Sequence, residues 1–534
     1  MTDTSTRRLT PGGWNIRWDQ DRVTQAYQAG WWRQETCADA LGKMAAEQPD
    51  RILVIDGETR LSASALHDQA SSLAQTMILR CKSGSVISFM LPNWHEAAVI
   101  YMAATLAGMV AHPVLPSLRD HDLKFMLADI NSRMIFVPQH FRGHDYAAMM
   151  TRVAAGIATP PETVVVRGDA GPHTCFAALL AEDSIVPLPI LDADEVRMVM
   201  YTSGTTGSPK GVMHTHNAIN ALIRQIGQSW LVKPGDRFLV PSPVSHIGGS
   251  IYAFEAPLLL GTTAILMEQW DPAAAVEIML AESCTHMAGA TPFLQALLAA
   301  ARTAGTRLPD LEVFICGGAS VPPTLIRQAS TFFDRAIVSR VYGSTEVPVT
   351  VVGVIDAGDV DHAAETDGRP GIATVFIAPD GEIRARGPQM LAGYVHAEDE
   401  AGAFDADGFF RTGDQGAWID GDYLVITGRI KDIIIRNGEN IAPKEIEDVL
   451  IGHPAIAEVA IVGVPDARTG ERAVAVIVPR DGAEPDIAAL GAFLASHGVA
   501  KFKYPEGVAL WDALPRNDAG KVLKQVIRAR LVGG

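Results

Sequence analysis

Short apolar runs alternate with helix-length stretches through most of this sequence, and that alternation leaves few architectures open. Buried strands are predicted at Val86–Leu91, Met134–Pro138, Thr163–Val166, Val196–Tyr201, Glu312–Cys316 and Ala336–Tyr342, and a buried helix over His95–Met109. Near-continuous apolar strands separated by helices point to an α/β fold with largely parallel sheets, covered on both faces. In such sheets ligands bind beyond the carboxyl ends of the strands. The glycine-rich segments at 203–211, 317–318 and 343 all fall there.

With 534 residues, the chain exceeds one ordinary core, so at least two domains are expected. The pattern changes near Gly428. Beyond it come a predicted helix over 443–452, strand-like "AEVAIVGV" and "RAVAVIVPR", a helix over 487–497 and a last helix from Val522. The expected division is a large domain of mixed, mostly parallel sheets with flanking helices over 1–428, and a small mobile α+β domain over 429–534. The stretch "GRIKD" between them reads as a hinge.

Composition removes several classes of function. A hydrophobic content of 48% with 20% charged residues describes a folded protein. The formal charge of −17 leaves no net basic field for a nucleic-acid backbone. The five cysteines are scattered without a C-x-x-C pair, which suits reduced thiols and gives no zinc signature. Cys316, beside a Gly-Gly pair, reads as a small buried residue. The N-terminus has no apolar signal region, and the longest apolar run, Ala97 to Ala111, is too short to span a bilayer. The expected location is the cytoplasm, with no membrane span.

The segment "MYTSGTTGSPKGVMHTHNAI", from Met200 to Ile219, follows a predicted strand and combines small polar residues with Lys210. Glycines let backbone approach an anion, N–H groups and hydroxyls donate to it, and a lysine adds charge. It is not a Walker loop: Lys210 follows Pro209 and precedes Gly211, where that motif needs Gly before and Ser or Thr after. On its own, the segment is either a flexible connection with a solvated lysine or a phosphate cradle of another kind.

Its company decides between these. "YTSGTTGSPKG" resembles the signature loop of the adenylate-forming superfamily, which contains acyl-CoA synthetases, nonribosomal-peptide adenylation domains and beetle luciferases. Further signatures follow in the family's order: "PVSHIGG" at 243–249, "CGGAS" at 316–320, "VYGSTE" at 341–346, "FRTGD" at 410–414, "GRIKDIIIRNGENI" at 428–441 and "PRNDAGK" at 515–521. The resemblance implies a two-step reaction. A carboxylate attacks the α-phosphorus of ATP to give acyl-AMP and pyrophosphate, and a thiol then attacks the acyl carbon and expels AMP.

By that resemblance, Thr202, Ser203, Gly204, Thr205, Thr206, Gly207 and Lys210 close over the β- and γ-phosphates. Glu346 helps to hold Mg²⁺, and Thr345 contacts phosphate. Tyr342 and Gly343 form the adenine slot with Gly318 and Ala319 opposite. Asp414 accepts both ribose hydroxyls, which an ionised carboxylate can do, and Arg429 adds a second ribose or phosphate contact. Lys521 is the catalytic lysine of adenylation, Lys431 stands at the hinge, and Asn437 and Gly438 approach the pantetheine channel of coenzyme A.

His246 matches the position that gates the carboxylate and thiol tunnel, with Ile247, Gly248, Gly249, Gly317 and Gly318 lining the acid pocket. No aspartate stands in 246–250 to pair with an ammonium, so an α-amino acid is disfavoured. Paired glycines leave room for a bulky apolar acyl group. An aromatic or alicyclic acid leads, with a medium-chain fatty acid close behind. The expected co-substrates are ATP and free coenzyme A, with Mg²⁺. The alternative is an enzyme that loads a separate carrier protein. A homodimer is left open. A non-catalytic ATP-binding regulator is disfavoured by the presence of Lys521, Asp414 and Glu346.

Overall fold

The computed structural model describes residues 6–533 except 183–184, 203–208, 319–320, 438, 467, 481 and 518–519. Two large sheets dominate. One has eight strands in the order Thr174–Cys175, Glu162–Val165, Met134–Val137, Val86–Phe89, Val110–Pro113, Val196–Thr202, Lys210–Thr215 and Gly393–Tyr394. Its first six strands are parallel; the last two turn antiparallel. The other has seven strands, from Ile337–Val341 through Val313–Gly317, His286–Gly289, Arg237–Val240, Thr263–Leu266 and Ile52–Asp56 to Thr59–Ser62. Only its edge hairpin is antiparallel.

One apolar core joins side chains from both sheets, including Phe89, Met198, Val240 and Ile315. The His95–Leu106 helix runs through it with every residue from Ala97 to Leu106 buried, as a helix without a polar face must be. It stops three residues short of the predicted end, because Gly108 turns the chain with φ at 65°. The remaining predicted strands appear within one or two residues of their expected bounds, and the last helix starts at Lys524 rather than Val522.

An antiparallel sheet of Thr374–Ile377, Glu382–Arg386, Phe410–Ile419 and Tyr423–Arg429 follows. A short 3₁₀ turn, Ile430–Asp432, then leads into a five-stranded sheet with its own core of Ile434, Ile446, Ile461, Ile477 and Leu490. Among the described residues, no helix is long and apolar enough to cross a membrane. All five cysteines are free thiols, and Cys316 is buried, as expected.

One feature had no sequence signal. Arg197 and Glu255 are both fully buried, 3.4 Å apart. Glu255 also accepts from the Tyr101 hydroxyl, and Arg197 donates to the Cys37 sulfur at 3.1 Å. Glu255 ends a π-helical turn, Ile251–Glu255, the wider coil that turns it onto the pair. Burial alone pushes the Glu255 carboxyl up; Arg197 and Tyr101 oppose this. Removing one member of such a pair strands the other charge in the core. Glu255→Leu is therefore expected to cost about 3–5 kcal/mol, whereas Arg197→Met with Glu255→Leu costs much less. Denaturant midpoints of the three proteins check this.

Candidate active site

The predicted site residues gather at the carboxyl ends of the parallel strands, in two groups joined by the 342–346 turn. The first group centres on Asp414. This buried carboxylate accepts from the Tyr342 hydroxyl at 2.8 Å and pairs with the Arg429 guanidinium, its cross-strand neighbour, at 3.0 Å. Burial and Asp414 hold the Tyr342 phenol well above its usual range, so the hydroxyl remains a donor. Lys521 reaches the same place from the far end of the chain. Gly520 beside it lies against Pro292 and Ala290, with 3.4 and 3.5 Å to the position a Cβ would take. Burial pushes the Lys521 ammonium down to about 8; Arg429 and Lys431 add to this, and Asp414 opposes it. Lys431 is lowered in the same way, by burial and then by Arg429.

His246 faces this group. Its pKa is lowered by burial and by Lys521, so it is a neutral imidazole near pH 7. Its Nδ1 accepts from the Gly248 N–H at 3.2 Å, which places the ring proton on Nε2. Of the pocket glycines, only some are open. Beside Gly248 an added Cβ would meet nothing nearer than the His246 ring at 3.5 Å, and beside Gly318 nothing within 4 Å. Gly249 differs: a Cβ there would lie 2.1 Å from the Pro243 carbonyl oxygen. Gly317 is likewise packed on Val341, at 2.6 Å. Space therefore lies open beside Gly248, while the expectation that Gly249 also empties space for the acyl group is corrected. Gly249 and Gly317 are small because neighbouring chain occupies that volume. Ile247, at the start of the Ile247–Ser250 turn of helix, is buried.

The second group surrounds Lys210. Its ammonium donates to the Asp399 carbonyl at 3.2 Å, lies 3.4 Å from the Asp399 carboxylate and sits 5.5 Å from the Tyr394 ring centre. The Tyr394 hydroxyl donates to Glu346 at 3.1 Å. Thr345 offers its carbonyl to His214 Nε2 at 2.8 Å, and burial pushes His214 down to about 4, so it is a neutral donor. These bonds tie the Lys210–Thr215 strand to the Thr345–Glu346 turn. That turn is possible because Gly343 has no Cβ: one would stand 2.5 Å from the Val349 nitrogen. Thr202 is the cross-strand partner of Lys210. Ser203, Gly204, Thr205, Thr206, Gly207, Ala319 and Gly438 lie outside the described residues. Asn437 stands apart, in the small sheet, with φ at 52° and its N–H on the Thr469 carbonyl.

Sequence reading missed Tyr394, Asp399, His214 and the Ala290–Pro292 segment, the start of the Thr291–Thr303 helix. None lies in a glycine-rich segment. Only the Ala290–Pro292 segment carried a signal, since it follows a parallel strand, His286–Gly289. A cluster of Asp56, His95 and Glu96 has metal-ligand chemistry, but the Arg167 guanidinium already pairs with Asp56 at 2.8 Å and Glu96 at 2.7 Å.

Comparison with known proteins agrees with this geometry. The AMP-binding enzyme profile matches residues 41–395, and that of the AMP-binding enzyme C-terminal domain matches 445–521. The chain belongs to the AMP-binding enzyme family. Within this adenylate-forming group it falls in the acid–CoA ligase branch. It is 33% identical to the medium-chain fatty-acid–CoA ligase of Escherichia coli K12, over 96% of this chain and 93% of that one. It is 33% identical to a feruloyl-CoA synthase of an Amycolatopsis species, over 91% and 97%. The crystal structure of ATP-bound MatB from Rhodopseudomonas palustris superposes with a TM-score of 0.82 at 26% identity, over 92% of this chain and 98% of that one. The apo form of MatB, at the same identity and coverage, gives 0.72.

Two outcomes are expected of this AMP-binding enzyme. Asp399→Asn frees Lys210 from a counter-ion and lowers the KM for MgATP roughly two- to fivefold, the size of a partly exposed ion pair, with kcat little changed. For Lys521, kcat/KM for acyl-AMP formation should fall as pH rises through about 8, where the free enzyme loses the ammonium. In kcat the same limb should move to higher pH, because bound phosphates favour the charged form. Pyrophosphate release measured from pH 6.5 to 10 checks this.

Proposed function

We propose that this acid–CoA ligase converts a hydrophobic carboxylic acid (aromatic, alicyclic or medium-chain) to its CoA thioester through an acyl-AMP intermediate. The observation carrying this is Lys521, delivered from the small C-terminal region into the cleft beside Asp414, Arg429 and His246. In the first half-reaction a carboxylate oxygen attacks the α-phosphorus of ATP and pyrophosphate leaves. The Lys521 ammonium lies between the two anions and offsets their repulsion, while Arg429 shares the phosphate charge. Asp414, fixed by Tyr342 and Arg429, receives the ribose hydroxyls, so the α-phosphate is positioned before the acid arrives. Lys210 exchanges Asp399 for the outer phosphates.

Glu346 has the chemistry to hold Mg²⁺: a half-buried carboxylate with one oxygen fixed by Tyr394. When bound, the ion supplies positive charge for the phosphates and the departing pyrophosphate. In the second half-reaction the CoA thiol attacks the acyl carbon, and AMP leaves with the electron pair of the broken C–O bond. His246, neutral with Nε2 protonated, lines the approach.

The proposed division of the chain is at 428/429, and the end of a sheet one residue later supports it. The antiparallel sheet ends at Arg429, the next strand belongs to another sheet, and Lys431 sits in the turn between. The higher TM-score with ATP-bound than with apo MatB supports an adenylation-competent placement of the small domain. Approach of Asn437 to the thiol then requires that domain to rotate. Open space beside Gly248 and Gly318 supports a bulky apolar acid, as do the medium-chain and feruloyl substrates named for the relatives. Five free thiols fit a reducing cytoplasm.

The test is thioester formation followed by mass spectrometry, with ATP, Mg²⁺ and CoA, across aromatic, alicyclic and C4–C16 acids. Acyl-CoA from one of these classes is the expected product. Acyl-AMP that accumulates without thioester would shift the acceptor to a carrier protein.

A further inference from the structure

Away from the catalytic cleft, a buried arginine has no carboxylate within salt-bridge distance among the described residues. Arg22, on the Gln20–Gln28 helix, is 91% buried, being 9% exposed. Its Nε has no hydrogen-bond partner, and no described residue accepts from its guanidinium. The Trp32 ring covers one side at 5.7 Å. Two further guanidinium groups, Arg17 and Arg386, lie close enough to lower the Arg22 pKa; burial lowers it most, and Asp19 opposes.

The acids nearby are already engaged. Glu400 binds Arg17 at 2.9 Å and Arg7 at 2.7 Å. Asp19 takes the Arg22 backbone N–H at 3.0 Å as the helix cap, and its other oxygen faces Arg386 at 3.7 Å. Arg386 also donates to the Asp407 carbonyl at 2.7 Å. Beside these groups lies a cavity of about 20 Å³, lined by Arg17, Asp19, Arg22, Met390, Leu391, Phe404 and Gly408.

We propose that this cavity is an anion site and holds one halide-sized ion, chloride under ordinary conditions, against Arg22 and Arg17, with Arg386 behind Gly408 in its wall. The volume accepts an occupant of about the size of a water and excludes phosphate or sulfate. A water needs two to four polar partners of mixed kind. Here the wall carries the Arg17 and Arg22 side chains and one carboxylate, Asp19, already engaged as the helix cap and facing Arg386; the rest is thioether, isobutyl and phenyl, which suits a weakly hydrated anion. A buried guanidinium is tolerated when paired, and costly when not. A chloride supplies the missing charge.

The site would brace the active site from outside. Leu391, in its wall, donates its N–H to the Glu346 carbonyl, and Glu400 adjoins Asp399, the partner of Lys210. An ion here therefore fastens the N-terminal segment to the turn that carries both contacts.

The experiment is thermal unfolding of the full chain in sodium chloride, bromide and gluconate at equal ionic strength. Chloride and bromide are expected to raise the wild-type Tm in a saturable way over gluconate, and Arg22→Met to abolish the difference. Should Arg22→Met fail to fold, Arg386→Gln, altered at a partly exposed side chain, is expected to raise the half-saturating chloride concentration several-fold. In crystals soaked in bromide, an anomalous peak is expected among the three guanidinium groups. The same Tm in chloride and gluconate, an unchanged halide response in the variants, or bromide found only elsewhere would overturn the proposal.

Discussion

The geometry of the cleft depends on one carboxylate. Asp414 accepts from Tyr342, pairs with Arg429 across two strands and lies in the field of Lys521 and Lys431. Three cations converge on it from a chain whose overall charge is −17. That excess of local positive charge would be unfavourable in an empty protein. It becomes favourable when a nucleotide brings its phosphates. Burial, and then the same imbalance, depresses Lys521, so its charge is poised to respond to whatever anion enters. A paired, fully compensated site would be more stable and less able to discriminate a triphosphate from water.

Much of the cleft could be read from the sequence because the fold puts its chemistry where the chain pattern changes. Strands of a parallel sheet end together, and glycines mark those ends, so Gly318 and Gly343 were found by pattern alone. Asp414 and Lys521 were another matter. Each stands in an ordinary polar surrounding, 107 residues apart in the numbering, and only the resemblance to a family singled them out. The predicted hinge position of Lys431 falls in the turn between two sheets for the same reason.

The residues that escaped notice act through contacts between distant segments. Tyr394 and Asp399 belong to a strand and turn added to the edge of the first sheet, and nothing local marks Tyr394 as a neighbour of Glu346. His214 reads as one position in a strand, yet it fixes the Thr345 carbonyl. The Arg197–Glu255 pair needed a π-helical turn to form, and no periodicity foretells one. The two glycines at 248 and 249 are a sharper lesson. They are identical in sequence, but one borders open space and the other the Pro243 carbonyl. Small residues signal close approach; what approaches is settled only by the tertiary fold.

The burial of Lys521 also couples movement to protons. In the cleft its pKa is about 8, against 10.5 in water. Any withdrawal of the small domain returns the ammonium to solvent, where it binds a proton more tightly. Between these two values the withdrawn state therefore holds more protons than the engaged one, and rising pH shifts the balance towards engagement. In the domain rotation proposed above, this acts as an alkaline brake on leaving the first position, set by the solvation of a single side chain.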